Sequence, residues 1–128
     1  MNTLIVCLFI ATIMPYLARI PVGYAMAKAG GYNNNEPRSQ QAGLTGFGSR
    51  AVAAHQNAFE SLLIFAVAVL TALATGHTSA LIQNLAITYI ISRVVYHILY
   101  LIDLASLRSL IWFIGFASSL AILVMCIS

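Results

Sequence analysis

The side chains able to act on a bound molecule fall into two stripes of helical spacing. In the stretch RAVAAHQNAFE and the residues after it, Arg50, Ala53, Asn57, Glu60 and Ile64 follow steps of 3, 4, 3 and 4 residues, which keeps them within a sector of roughly 80° on an α-helix. His55 projects to nearly the opposite side. In TYIISRVVYHILYL, Tyr89, Arg93, Tyr96, His97 and Tyr100 repeat the device with steps of 4, 3, 1 and 3, and Arg108 and Ser109 follow beyond a turn-sized break. Arginines in excess over carboxylates favour an anion, Glu60 with Asn57 offers acceptors to an ammonium or amide, and tyrosine hydroxyls donate to a thiolate or oxyanion. A small zwitterionic peptide with net negative charge meets all three conditions. An apolar reaction partner would reach it from a bilayer.

The chain that must position these groups is 61% hydrophobic, with six Lys or Arg and three Asp or Glu among 128 residues and a mean hydropathy of +0.92. So few charges cannot make a water-soluble surface around a core, and the reading is an all-α integral membrane protein. The formal charge of +3 is too small and scattered for nucleic acid, and in such a chain it speaks to topology. Four apolar spans are read at about 4–27, 50–75, 79–101 and 107–127, forming a four-helix bundle in a single domain 1–128. Pro15, Arg19 and Pro21 interrupt the first. Residues 28–49, rich in Gly, Asn and Gln, make one long polar loop, while TGHTS and IDLAS are tight turns between antiparallel helices. The first span ends in Ala25-Met26-Ala27 like a signal peptide, but no basic segment precedes it and Arg19 and Pro21 break its second half, so it is read as a transmembrane helix.

Lys28, Arg38 and Arg50 lie in or beside the first loop, and Arg108 beside the third. The positive-inside rule therefore places both loops in the cytoplasm and both termini on the far side of an inner membrane. With that topology, the polar stripes of the second and third helices lie at matching depth near the cytoplasmic face, and Arg108 joins them from the third loop. The expected result is a pocket of Arg50, Arg93 and Arg108 with Asn57, Glu60 and tyrosines.

A purely structural account has Arg50 and Arg108 snorkelling, Tyr96 and Tyr100 in an aromatic belt, and Glu60 paired with Arg93. It leaves the depth of Glu60 and Arg93 and the donors around them without a use, and ionisable groups inside a span point to function. A transporter would continue the stripe across the membrane, whereas this one stops about midway. Ala68, Ala72 and Gly76, and Gly115 with Ser119, form small-residue ladders suited to close helix packing. Cys7 and Cys126 are isolated and no metal-ligand spacing occurs, so no metal is expected. Trp112 reads as an interfacial anchor.

In Asn57-x-x-Glu60, Arg93-x-x-x-His97-x-x-Tyr100 and Leu107-Arg108-Ser109, placed on four spans with a long first loop, the chain resembles the MAPEG family, membrane-associated proteins in eicosanoid and glutathione metabolism. The resemblance covers most of the chain. It implies a homotrimer that takes glutathione as thiol cosubstrate at subunit interfaces and acts as a transferase or peroxidase on a lipophilic small molecule. Carried over by position, Asn57 and Glu60 would hold the glutathione backbone and amino group. Tyr96, Tyr100 and His97 would line the site, with Arg93 in support. Arg108 and Ser109 would lie nearest the thiol, with Tyr100 assisting, and Arg19 would meet a carboxylate across the subunit boundary. Ala53 stands where many members carry an arginine, which leaves Arg50 one turn earlier as a substitute, and His97 falls one position later than in some relatives. A non-catalytic glutathione- or lipid-binding membrane protein is the alternative.

Overall fold

The computed structural model describes residues 1–128 as six helices: α1 Asn2–Leu17, α2 Arg19–Lys28, α3 Pro37–Ala42, α4 Phe47–Thr75, α5 Ala80–Leu101 and α6 Ala105–Met125. Asn2–Lys28 as one unit, α4, α5 and α6 are each long and apolar enough to cross a membrane. Their outward faces carry residues such as Leu63, 69% exposed, and Val124, 62% exposed, as suits helices facing hydrocarbon. This is a multi-pass membrane protein.

Proline chemistry divides the first span. Pro21 has no N–H to offer the Leu17 carbonyl four residues back, and its ring crowds that oxygen. The helix accordingly stops at Leu17 and resumes at Arg19, while Ala18 keeps right-handed dihedrals of −64° and −16°. The chain bends without leaving the span. His55 fastens α4 to this segment: its Nδ1 donates to the Pro15 carbonyl at 2.9 Å, which fixes the proton on Nδ1 because a carbonyl only accepts.

The stretch expected as one polar loop is itself folded. Pro37 opens α3 at its first turn, a position where the missing N–H is harmless. The Gln40 amide donates to the carbonyls of Gly31 at 2.8 Å and Met26 at 3.2 Å and accepts from Asn33 N–H at 2.8 Å. One side chain thus stitches α3 to the end of α2.

Phe65 of α4 and Tyr89 of α5 stack at 3.9 Å with planes 5° apart, and the Tyr89 hydroxyl shares a 2.9 Å hydrogen bond with Ser61. Leu4, Cys7 and Ala11 from α1 and Ile122 from α6 close the same core. Both helix hairpins end in Schellman turns. His77 N–H bonds Ala72 O and Gly76 N–H bonds Leu73 O, with Gly76 at φ +75°. Gly76 therefore caps α4 and is exposed, while the packing part of its expected ladder is Ala68 and Ala72, both fully buried. After α5, Leu104 N–H reaches Leu99 O and Asp103 N–H reaches Tyr100 O. Asp103 takes the left-handed position, φ 64°, which its short polar side chain tolerates.

In a bilayer, helices associate by close packing rather than by a hydrophobic drive, so the closest crossing matters most. A Cβ on Gly115 of α6 would lie 2.6 Å from Ser92 Oγ of α5, a hydroxyl that already donates to Tyr89 O at 2.7 Å. Gly115→Ala is expected to push that hydroxyl off its acceptor and destabilise the bundle by about 1 kcal/mol. Adding Ser92→Ala should restore most of the loss, because the remaining Ser92 Cβ would be 3.7 Å away. Thermal unfolding in detergent reads both variants, and a double variant no better than the single one would refute the crossing.

Candidate functional site

Three helices bring the chemistry-bearing residues together at the end of the bundle that carries the α2–α4 loop. Asn57 comes from the first half of α4, Tyr96 and Tyr100 from the last turns of α5, and Arg108, Ser109 and Trp112 from the start of α6. With Phe113 they line one cavity of about 210 Å³. A neighbouring cavity of about 140 Å³ shares Asn57 and Trp112 with it and continues past Glu60, Ser61, Phe116 and Ser119. The two form a groove between α4 and α6, with α5 backing its loop end.

The cations of this site are held by rings rather than by carboxylates. The Arg93 guanidinium carbon lies 4.1 Å from the Tyr96 ring centre, Tyr96 and Tyr100 meet edge to face at 5.7 Å, and the Arg108 guanidinium carbon lies 4.3 Å above Tyr100. Each such contact contributes about 0.5–2 kcal/mol. Its larger use is to fix where the half-buried Arg108 presents its donors. Arg93, 5% exposed, donates from Nη2 to Asn57 Oδ1 at 2.8 Å, so the amide orients the arginine and the arginine fixes the amide's flip.

Glu60 is exposed and makes neither a hydrogen bond nor an ion pair within the chain; the sole ion pair is Arg50–Asp103 at 4.0 Å. The direct Glu60–Arg93 ion pair of the structural account is therefore not formed; the guanidinium's hydrogen bond goes to Asn57 instead. Glu60 keeps both carboxylate oxygens free at the groove. Deeper in the same groove, Ser119 is 1% exposed and its buried Oγ has no partner, an orphan donor of the kind a bound polar ligand or water satisfies.

Of the remaining residues read from the sequence, Arg50 donates to Leu101 O at 3.4 Å and faces Asp103 across the α5–α6 turn. It braces that turn and lines neither cavity of the groove. Arg19 on α2 lies against Met26 Sδ at 3.6 Å and 5.7 Å from the Tyr32 ring centre, outside the groove of its own chain. His97 turns the other way. It lines a separate cavity of about 220 Å³ with Arg93, Tyr89 and residues of α1 and α2. On the helical wheel Tyr96 and His97 are about 100° apart, so α6 takes one edge of the α5 stripe and α1 the other.

Trp112 belongs to the groove, stacked on Phe116 at 5.0 Å, although the sequence suggests only an interfacial anchor. Its position four residues after Arg108 puts it on the same helical face and was a usable signal. Ser61 and Ser119 carry no signal of that kind, since serine inside a span more often bonds its own helix.

No curated protein and no solved structure matches the chain. The sequence profile of the MAPEG family matches residues 3–128. Four membrane-crossing helices, a groove of Arg108 with tyrosines, asparagine and glutamate at one end, and a family match over essentially the whole length agree: the chain belongs to the MAPEG family, whose members act in glutathione and eicosanoid metabolism in membranes.

Proposed function

We propose that the α4–α6 groove binds glutathione and that the protein is a membrane-bound glutathione-dependent transferase or peroxidase acting on lipophilic electrophiles. The observation that carries this reading is the convergence of Asn57, Tyr96, Tyr100, Arg108 and Ser109 on one cavity, with an unpaired Glu60 alongside. The donor set suits the ligand. Glu60 and Asn57 Oδ1 would accept from its amino group and amide, the orphan Ser119 hydroxyl adds a donor in the deeper cavity, and Arg108 offers a cation to the sulfur end. Arg19, which meets no carboxylate on its own chain, would reach a neighbouring subunit's site in a homotrimer.

Glutathione supplies the sulfur nucleophile. The residues supply its ionisation: a free thiol near pKa 8.5 is mostly protonated at neutral pH, and a fixed guanidinium with a neighbouring hydroxyl stabilises the anion by about 1.4 kcal/mol per unit of lowering. Arg108, fixed on Tyr100, has that position, with Ser109 beside it. Trp112, Phe113 and Phe116 keep water from the groove wall, which strengthens the electrostatic effect and brings an apolar electrophile within reach. Because Lys28, Arg38, Arg50 and Arg108 gather at this end, the positive-inside rule turns the groove to the cytoplasm and both termini away. Protease cleavage of the 29–46 loop from the opposite side would reverse that assignment.

Titration of purified protein with glutathione, followed by turnover of a generic electrophile, tests the function. Glu60→Ala is expected to weaken glutathione binding by roughly 10- to 100-fold, the worth of one charge-assisted hydrogen bond, with thermal stability unchanged because the carboxylate bonds nothing in the chain. Unaltered affinity in that variant refutes the assigned site. Tight binding without turnover selects the non-catalytic alternative.

A further inference from the structure

A cavity of about 400 Å³ opens where α2 ends and α4 begins, walled by Tyr24, Lys28 and Ala29 on one side and by Gly43, Thr45 and Phe47 on the other. Both helices belong to membrane-crossing segments, so their ends put the cavity where acyl chains give way to headgroups. Backbone contacts fix its shape. A Cβ on Gly48 would lie 3.0 Å from Leu44 Cβ and 3.1 Å from Ala25 Cβ, so glycine lets the start of α4 pack this closely on α2, and Gln40 holds α3 against the end of α2. The lining has two kinds of chemistry. Tyr24 and Phe47, 57% and 37% exposed, meet edge to face at 6.2 Å, as aromatic side chains do at headgroup level. Lys28 and Thr45 are exposed beside them; the Lys28 ammonium lies 5.5 Å from the Tyr24 ring centre and has no carboxylate partner. No acidic residue lines the cavity, and residues 28–50 carry Lys28, Arg38 and Arg50 against Glu36 alone. A zwitterionic headgroup would bring an ammonium with no carboxylate to receive it, whereas an anionic one brings only the charge that Lys28 lacks.

We propose that this cavity binds the phosphate headgroup of an anionic glycerophospholipid, with the phosphate between Lys28 and Thr45 and the acyl chains passing Tyr24 and Phe47 into the bilayer. The site is separate from the groove, with which it shares no residue. Its occupant neutralises Lys28 and bridges the end of α2 to the start of α4, which ties the folded 29–46 segment to the leaflet.

Native mass spectrometry of the detergent-purified protein tests the site. With phosphatidylglycerol and phosphatidylcholine of the same acyl chains offered in parallel, a saturable lipid adduct is expected, roughly fivefold tighter for phosphatidylglycerol, the preference that one cation confers near a lipid phosphate. Lys28→Gln should abolish that preference, and Ala29→Glu, which sets a carboxylate beside the phosphate, should reverse it. Arg38→Gln removes the same charge from outside the cavity and should leave the preference intact. All three positions are exposed, so the fold is not at stake. Four results overturn the proposal: an adduct without headgroup preference, an equal loss in Arg38→Gln, which reports a diffuse surface charge, displacement by soluble glycerol phosphate, which identifies a water-borne ligand, and crosslinking of Thr45→Cys between two copies, which puts a second subunit over the cavity.

Discussion

Arg108→Ala is expected to lower glutathione-dependent turnover of a lipophilic electrophile by about two to three orders of magnitude, the range found when one preorganised charge-stabilising donor is removed. Affinity for glutathione should fall much less, because Asn57, Glu60 and Tyr96 are untouched and the interaction lost is the one that strengthens as charge develops on sulfur. The fold should survive, since Arg108 makes no ion pair and its one close partner is the Tyr100 ring at 4.3 Å. Two further variants separate charge from placement. Arg108→Lys keeps the charge but not the planar group lying over the ring, so it should recover only part of the rate. Tyr100→Phe keeps the platform and deletes the hydroxyl, so a small effect assigns Tyr100 to positioning and a large one to donation. Thiolate absorbance in the ultraviolet, measured with turnover, decides the central claim: an Arg108→Ala protein that still forms bound thiolate and turns over at the parent rate removes Arg108 from the mechanism.

The parts of this site that were legible in the sequence are those governed by helical periodicity. Asn57, Arg93, Tyr96 and Tyr100 share faces by arithmetic alone, and the tight TGHTS and IDLAS turns oblige their helices to pack as neighbours. Periodicity places a residue on a face; it does not say which neighbour that face meets. Tyr96 and His97 are adjacent in one stripe, yet α6 covers the first and the α1–α2 segment the second, and only the packed bundle separates them. Arg50 likewise shares the sector of Asn57, but its long side chain turns to the carbonyl of Leu101, exposed where α5 ends, and to Asp103. His55 falls on the opposite side by the same arithmetic, but its acceptor, a backbone carbonyl forty residues away, is not something periodicity can name. The fold of the polar loop was hidden for another reason: Gln40 organises it through three backbone partners, and no composition rule distinguishes that glutamine from a solvated one.

Asn57→Leu is expected to be among the most destabilising single changes in the chain, costing about 3–5 kcal/mol, because it leaves the Arg93 guanidinium buried and without its only hydrogen-bond acceptor. Arg93→Met should cost less, about 1–2 kcal/mol, although it removes the larger group. It takes away the charge as well as the bond, and the amide it leaves behind borders the groove and can be hydrated. Neutral hydrogen bonds between membrane helices average well under 1 kcal/mol, so a difference of this size would have to come from the uncompensated charge. Combining the two changes provides the internal control: the double variant should be more stable than Asn57→Leu alone, which requires a coupling energy larger than the cost of Arg93→Met, about 2–3 kcal/mol. Asn57→Asp, which gives the cation a carboxylate at the same position, should retain the fold and raise resistance to thermal unfolding. Denaturant unfolding in mixed micelles measures all four proteins. If Asn57→Leu proves no worse than Arg93→Met, Arg93 has another acceptor in the folded state, and the polar clamp between α4 and α5 is not what holds the groove's back wall in place.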